Sequence, residues 1–177
     1  MQDQLQIQMM QTWANRKGEM PEPRELVLPS LIYNTPQEAF KQFMHAMGTD
    51  EDTLRMKLPS NDEVVVSRDL FLNKNKDWKI AKRQREQWLM YLAEVIKSPQ
   101  EIWKLKLDKS EELYLMGRFQ RGNQVIETIA VFKRLGDEKD WDEAKTAFAA
   151  DDRKARYLND KRASMMKRGA SILYLDV

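Results

Sequence analysis

Two segments concentrate the side chains that could do chemistry. Residues 79–106 hold seven basic residues (79, 82, 83, 85, 97, 104, 106) against three acidic ones (86, 94, 101). Residues 153–168 hold seven (153, 154, 156, 161, 162, 167, 168) against one (160). Acidic residues gather at 50–52 and 137–143. Such segregation can present a basic face to a phosphate backbone, although solvated helix faces carry the same pattern. In Leu113–Phe119 the alternation sets Leu113, Leu115 and Phe119 on one side and Tyr114, Met116 and Arg118 on the other. If the aliphatic side packs on a helix, Tyr114 and Arg118 stand on an open sheet face. A guanidinium there matches phosphate oxygens with a planar fork. The alternative is a pair with a glutamate on the next strand, such as Glu127.

Other chemistries are narrowed by composition. The 177 residues include no cysteine and one histidine, so thiolate sites, disulfides and multi-histidine sites are excluded. Asp50-Glu51-Asp52 lacks the spacing and turn glycine of a calcium loop. There is no phosphate-binding glycine loop, dinucleotide fingerprint or nucleophile elbow. Charge nearly cancels, 30 basic against 28 acidic, which argues against a uniformly basic coat protein. No run approaches the ~18 apolar residues of a membrane span, and the glutamine-rich start does not read as a signal peptide.

The elements that must position these residues follow from pattern. Residues 1–14 read as a helical arm, and the prolines at 21, 23 and 29 mark an extended connector. Thr35-Pro36-Gln37-Glu38 predicts a capped helix that ends at Gly48, with Ala39, Phe40, Phe43, Met44 and Met47 as its apolar stripe. His45 falls off that stripe, as a solvent-facing residue or a lone general base. A polar linker is expected over 48–63, then a strand at Val64–Val66. Residues 79–97 predict a strong helix with Trp88, Tyr91, Leu92, Val95 and Ile96 inward and Arg85 at the rim of the apolar face. Ser98-Pro99-Gln100-Glu101 repeats the cap signature and predicts a helical turn through Trp103, with Glu101 as a cap. Strands are expected at 113–119, 125–133, 145–149 and 171–175, with a hairpin turn at Arg121-Gly122-Asn123, a polar loop around Trp141 and a basic helix over 151–166. The order predicts an α+β fold with helices on one face of a small antiparallel sheet. The expected division is an arm, linker and short helix over 1–62 and a main domain over 63–177.

The run from Glu63 to Phe71, Lys79-Ile80-Ala81-Lys82, and Leu92 through Pro99-Gln100-Glu101-Ile102-Trp103 resembles the phage branch of the barnase–EndoU–colicin–RelE-like nuclease superfamily. Tyr114–Phe119, Thr146-Ala147-Phe148, Tyr157-Leu158 and Arg168-Gly169 before Ile172 fit the same resemblance, which covers about residues 63–175. Such domains lie at the C-terminal end of phage Mu F-like minor head proteins, and Trp13 and Pro21–Arg24 are similar to the connector before them. The resemblance implies helices followed by a four-stranded antiparallel sheet. It implies metal-independent RNA cleavage by 2′-hydroxyl attack on phosphate, with no cofactor. The alternative is a non-catalytic accessory domain of a head-morphogenesis protein.

Several branches use histidine, which the matching region lacks; arginine, lysine and tyrosine replace it in RelE-like members. On this resemblance Arg118 stabilises the phosphate and Arg85 supports it. Thr146 orients an oxygen, and Tyr114 or Tyr157 exchanges a proton if its pKa is lowered from ~10. Lys79, Lys82, Lys167 and Arg168 grip the backbone. The implied partners are RNA, with transfer RNA as one candidate, and phage head proteins or a neutralising partner. The implied setting is the bacterial host cytoplasm or the virion.

Overall fold

The first long segment to bury itself does so through its caps. Helix α1 (Pro36–Met47) starts where the Glu38 amide donates to the Thr35 hydroxyl at 3.2 Å and stops at Gly48, whose φ of 99° suits only glycine comfortably. A computed structural model describes residues 22–29, 32–73, 75–79, 89–136, 141, 143–151 and 157–176. The expectations for the arm at 1–14, and for Lys82, Arg85 and Trp88, lie outside the described residues.

Chain order is β1 (Arg24–Glu25), α1, β2 (Thr53–Lys57), β3 (Glu63–Ser67), a 3₁₀ turn (Arg68–Phe71), α2 (Leu89–Lys97), β4 (Glu101–Lys106), β5 (Ser110–Arg121), β6 (Gln124–Leu135), β7 (Glu143–Asp151), α3 (Tyr157–Lys167) and β8 (Ser171–Leu175). The main sheet runs β7-β6-β5-β4-β8 with every neighbour antiparallel. The short β1 adds in parallel beside the far end of β5, where Arg24 pairs with Phe119. The β5–β6 hairpin turns on Gly122 and Asn123, with Gly122 at φ 59°. The α+β class stands. Among the described residues, no helix is long and apolar enough to cross a membrane.

Three elements differ from the sequence reading. Residues 48–63 contain β2, which pairs antiparallel with β3 across the Leu58–Asp62 turn. The Ser98–Glu101 cap signature opens strand β4 instead of a helical turn. Here Gln100 spends its side chain on other backbone: its amide donates to the Glu22 carbonyl at 2.8 Å, and its oxygen accepts from the Arg118 N–H at 2.7 Å. Trp141, expected in a polar loop, is fully buried; its backbone bonds β3 and its indole N–H donates to Asp62 at 3.2 Å.

The layout of the layers also differs. The first face of the sheet meets α1 and α2, through Leu113, Leu115, Phe119, Ala130 and Phe132 packed with Phe43, Tyr91, Leu92 and Val95. Gly117 lets α2 approach, because a Cβ there would lie 2.7 Å from Val95 Cγ2. The second face is covered as well. Helix α3 crosses from edge strand β7 to edge strand β8 and packs Leu158 and Met165 onto Trp103, Tyr114, Met116, Ile129 and Val131. The expected one-sided arrangement, with an open second face, is therefore corrected to helices on both faces.

Candidate nucleic-acid site

On the second face, strand alternation brings charge to both ends of an apolar middle. The middle row is Trp103–Tyr114–Val131–Thr146, partners across four strands. Toward one end lie Glu101, Arg118 and Glu127. Arg118 and Glu127 are register partners with an Nε to Oε2 separation of 3.6 Å. Glu101 sits opposite Met116, two residues from Arg118 on the same face. Arg162 descends from α3 onto Glu101; its Nε donates to both carboxylate oxygens at 2.8 and 3.1 Å, and its Nη2 donates to Oε2 as well. The Trp103 indole N–H donates to Glu101 at 3.3 Å. All four charged side chains are buried, Arg118 at 6% exposure and Arg162 at 0%. Buried charges are costly unless paired, so this end is structural: Arg118 and Glu127 pair across β5 and β6, and the Arg162–Glu101 pair holds α3 onto the sheet.

The other end is built differently. Glu112 precedes Tyr114 by two residues and shares its face. The Tyr114 hydroxyl donates to Glu112 Oε2 at 2.5 Å. Lys161 places its ammonium 5.2 Å from the centre of the Tyr114 ring. Arg168, exposed just past α3, also reaches the Tyr114 hydroxyl. Burial pushes the Tyr114 hydroxyl pKa well above its usual value, and the hydrogen bond and negative charge of Glu112 push it further; Arg168 pulls weakly the other way. Tyr114 is therefore a neutral donor at physiological pH. The lowered pKa that proton exchange by this residue requires is absent in this arrangement. What the cluster offers is a buried carboxylate, 2% exposed, held by a neutral hydroxyl, with Lys161 and the exposed Arg168 reaching Tyr114 from above.

The sequence-expected residues separate accordingly. Tyr114 and Arg168 come together. Lys167 lies exposed at the end of α3 beside Arg168. Arg118, expected on an open face, is buried against Glu127, the alternative partner expected from the sequence. The backbone of Thr146 pairs with Val131 in the Tyr114 row, and Tyr157 opens α3. Lys79 follows a turn after the 3₁₀ segment, where its N–H donates to the Phe71 carbonyl at 2.8 Å. His45 is exposed, 82% at its side chain, and its Nδ1 lies 3.1 Å from Asp50. Glu101 is a buried ion-pair partner in a strand and not a helix cap.

Sequence reasoning missed Glu112, Lys161 and the Glu101–Arg162 pair. Glu112 was within reach, since extending the 113–119 alternation back by one residue puts it beside Tyr114. Among the described residues, no group of three or more histidine or acidic side chains is placed to hold a metal ion.

No curated protein and no solved structure matches the chain. A family model does. That of the phage-Barnase-EndoU-ColicinE5/D-RelE like nuclease2 matches residues 39–170, well over half of the chain. The matched stretch runs from α1 to the residue before β8 and includes every member of both charged groups on the second face. A small antiparallel sheet with packed helices, a cation-rich end and this match agree, and the chain belongs to the phage-Barnase-EndoU-ColicinE5/D-RelE like nuclease2 family.

Proposed function

We propose that this nuclease-family domain cleaves RNA without a metal ion, at the Tyr114 end of the second sheet face. The observation that carries this reading is the Glu112–Tyr114 pair beneath Lys161 and Arg168. Glu112 takes the proton of the ribose 2′-hydroxyl as that oxygen attacks the adjacent phosphorus. Lys161 and Arg168 stabilise the charge on the pentacoordinate phosphate. The bond from phosphorus to the 5′-oxygen breaks, and the leaving oxygen takes a proton from the Lys161 ammonium. The products are a 2′,3′-cyclic phosphate and a 5′-hydroxyl. Tyr114 donates to Glu112 and fixes its orientation. Thr146 and Tyr157 are assigned supporting hydroxyl roles on their backbone positions alone, and Lys167 adds backbone grip beside Arg168. Lys79, Lys82 and Arg85 are assigned to the flanking strand from sequence alone. The substrate is RNA of a bacterial host, with transfer RNA as one candidate.

The test is incubation of the protein with total bacterial RNA in EDTA, with end-group analysis of the fragments. Cyclic-phosphate and 5′-hydroxyl ends are expected, and Glu112→Gln is expected to slow cleavage by roughly 10²-fold or more. Intact RNA at every pH tried, or fragments with 5′-phosphate ends, would refute the proposal.

One observation favours a second reading. Arg118 and Glu127 are spent on each other within the sheet and Glu101 on Arg162 of α3, as suits an accessory domain of a phage head-morphogenesis protein that binds a partner without cleaving. That reading predicts stable RNA or protein binding with no cleavage under the same conditions.

A further inference from the structure

On the first-face side, away from the Glu112 cluster, the outer surface of α1 borders a cleft of about 240 Å³ lined by Gln37, Phe40, Lys41, Asp52, Arg68 and Trp78. Three separate elements build it. Gln37, Phe40 and Lys41 share one side of α1 at i, i+3 and i+4 spacing. Arg68 begins the 3₁₀ turn, after Ser67 caps it by accepting from the Asp69 N–H at 3.3 Å. Trp78 is fixed by a tight loop in which the Asn73 side chain accepts from the Asn75 and Asp77 amides at 2.8 and 3.0 Å. A bridge from Leu72 to Trp78 closes that loop.

The indole is half-buried. It packs on Phe40 with ring centres 6.1 Å apart and still lines the cleft. Arg68 lies 3.7 Å from Asp52, and both side chains are more than half exposed. An exposed pair of that kind is worth little, so a better-matched anion can take the guanidinium. Two cations against one carboxylate leave the rim net positive.

An aromatic floor with a cationic rim is the chemistry of a nucleotide site. The volume lies below the ~300 Å³ at which drug-sized ligand sites begin, and suits one flat ring system. We infer that this cleft binds a single nucleotide, its base against Trp78 and its phosphate between Lys41 and Arg68. A free mononucleotide and one unit of an RNA strand share this chemistry. The inference rests on nucleic acid as the ligand of this nuclease domain, and it does not require that the Glu112 cluster cleave.

The test is calorimetric titration of the intact protein with adenosine monophosphate and with a short oligoadenylate, alongside NMR observation of the Trp78 indole. The Glu112→Gln background slows cleavage and leaves this cleft untouched, so a failure here is separable from a failure of the cleavage reading. Oligoadenylate is expected to bind and to shift the Trp78 indole resonance. Lys41→Ala/Arg68→Ala, both on the surface, is expected to weaken binding about tenfold and to reduce the salt dependence by about one phosphate contact or more. Asp52→Asn is expected to tighten binding, because it removes the carboxylate that competes for Arg68. Binding of the mononucleotide as well supports a free-nucleotide source, and binding of the oligomer alone supports a strand. The inference fails if neither ligand binds, or if the double variant binds like the parent. It also fails if an acidic peptide binds there while nucleotides do not.

Discussion

Arg118 shows how much a single side chain can change meaning once its surroundings are known. Its β5 position and its face were legible from alternation. Its burial was not, because that depends on α3, whose apolar content is confined to a few residues such as Leu158 and Met165. Arg118→Ala is expected to act first on stability. It breaks the buried ion pair with Glu127, at a cost of roughly 3–5 kcal/mol, read as a fall in the denaturation midpoint. Arg118→Met combined with Glu127→Leu is expected to recover most of that loss. A stable Arg118→Ala protein would contradict a structural role for the Arg118–Glu127 pair. Tyr114 makes a prediction of the opposite kind, in pH. An unfolded tyrosine ionises near ~10, whereas folded Tyr114 ionises well above that. Its contribution to stability is therefore complete below ~10 and is lost as pH climbs from there toward the folded value. Denaturant titrations at rising alkaline pH should show this slope in the parent and a shallower one in Tyr114→Phe.

At the level of elements, helix α1 was readable to the residue because its start and stop are local chemistry. Strand β4 was misread because Ser98-Pro99-Gln100-Glu101 carries the local signature of a cap while its partners are distant. Gln100 bonds residues 78 and 18 positions away, and Glu101 bonds one 61 positions away. The proline connector was read as extended, as its described residues 22–29 are, yet their docking was invisible. Leu26 and Leu28 turn toward the core. The Tyr91 hydroxyl donates to the Leu26 carbonyl at 2.8 Å and accepts from the Leu28 N–H at 3.0 Å. Arg24 donates to the Ser98 carbonyl at 2.6 Å and to Asp176 at 2.9 Å. Tyr91→Phe is expected to cost about 1–3 kcal/mol and to speed hydrogen exchange at the Leu28 amide. Unchanged exchange there would show that the strand is held by its other bonds. Gly117→Ala tests the approach of α2, and overpacking against Val95 is expected to cost about 1–3 kcal/mol in a denaturant melt.

Taken whole, the molecule places its two sheet faces under different masters. The first is a broad hydrophobic core that strand and helix periodicity revealed well. The second combines a smaller apolar patch with charge, so its cover could not be read from hydrophobic pattern. The cover also arrives late. The chain is made from its N-terminus, and β4 has no neighbour on its outer side until residues 171–175 exist. Lys161, Arg162 and Arg168 come only shortly before them. A chain halted before α3 is therefore expected to lack both the Arg162–Glu101 pair and the cations over Glu112, with fast exchange in β4 and no RNA cleavage. On the proposed RNA-cleaving function, the order of synthesis would act as a safety catch: a ribosome making this protein is surrounded by RNA, and the nascent chain would stay harmless until α3 and β8 are laid across the sheet.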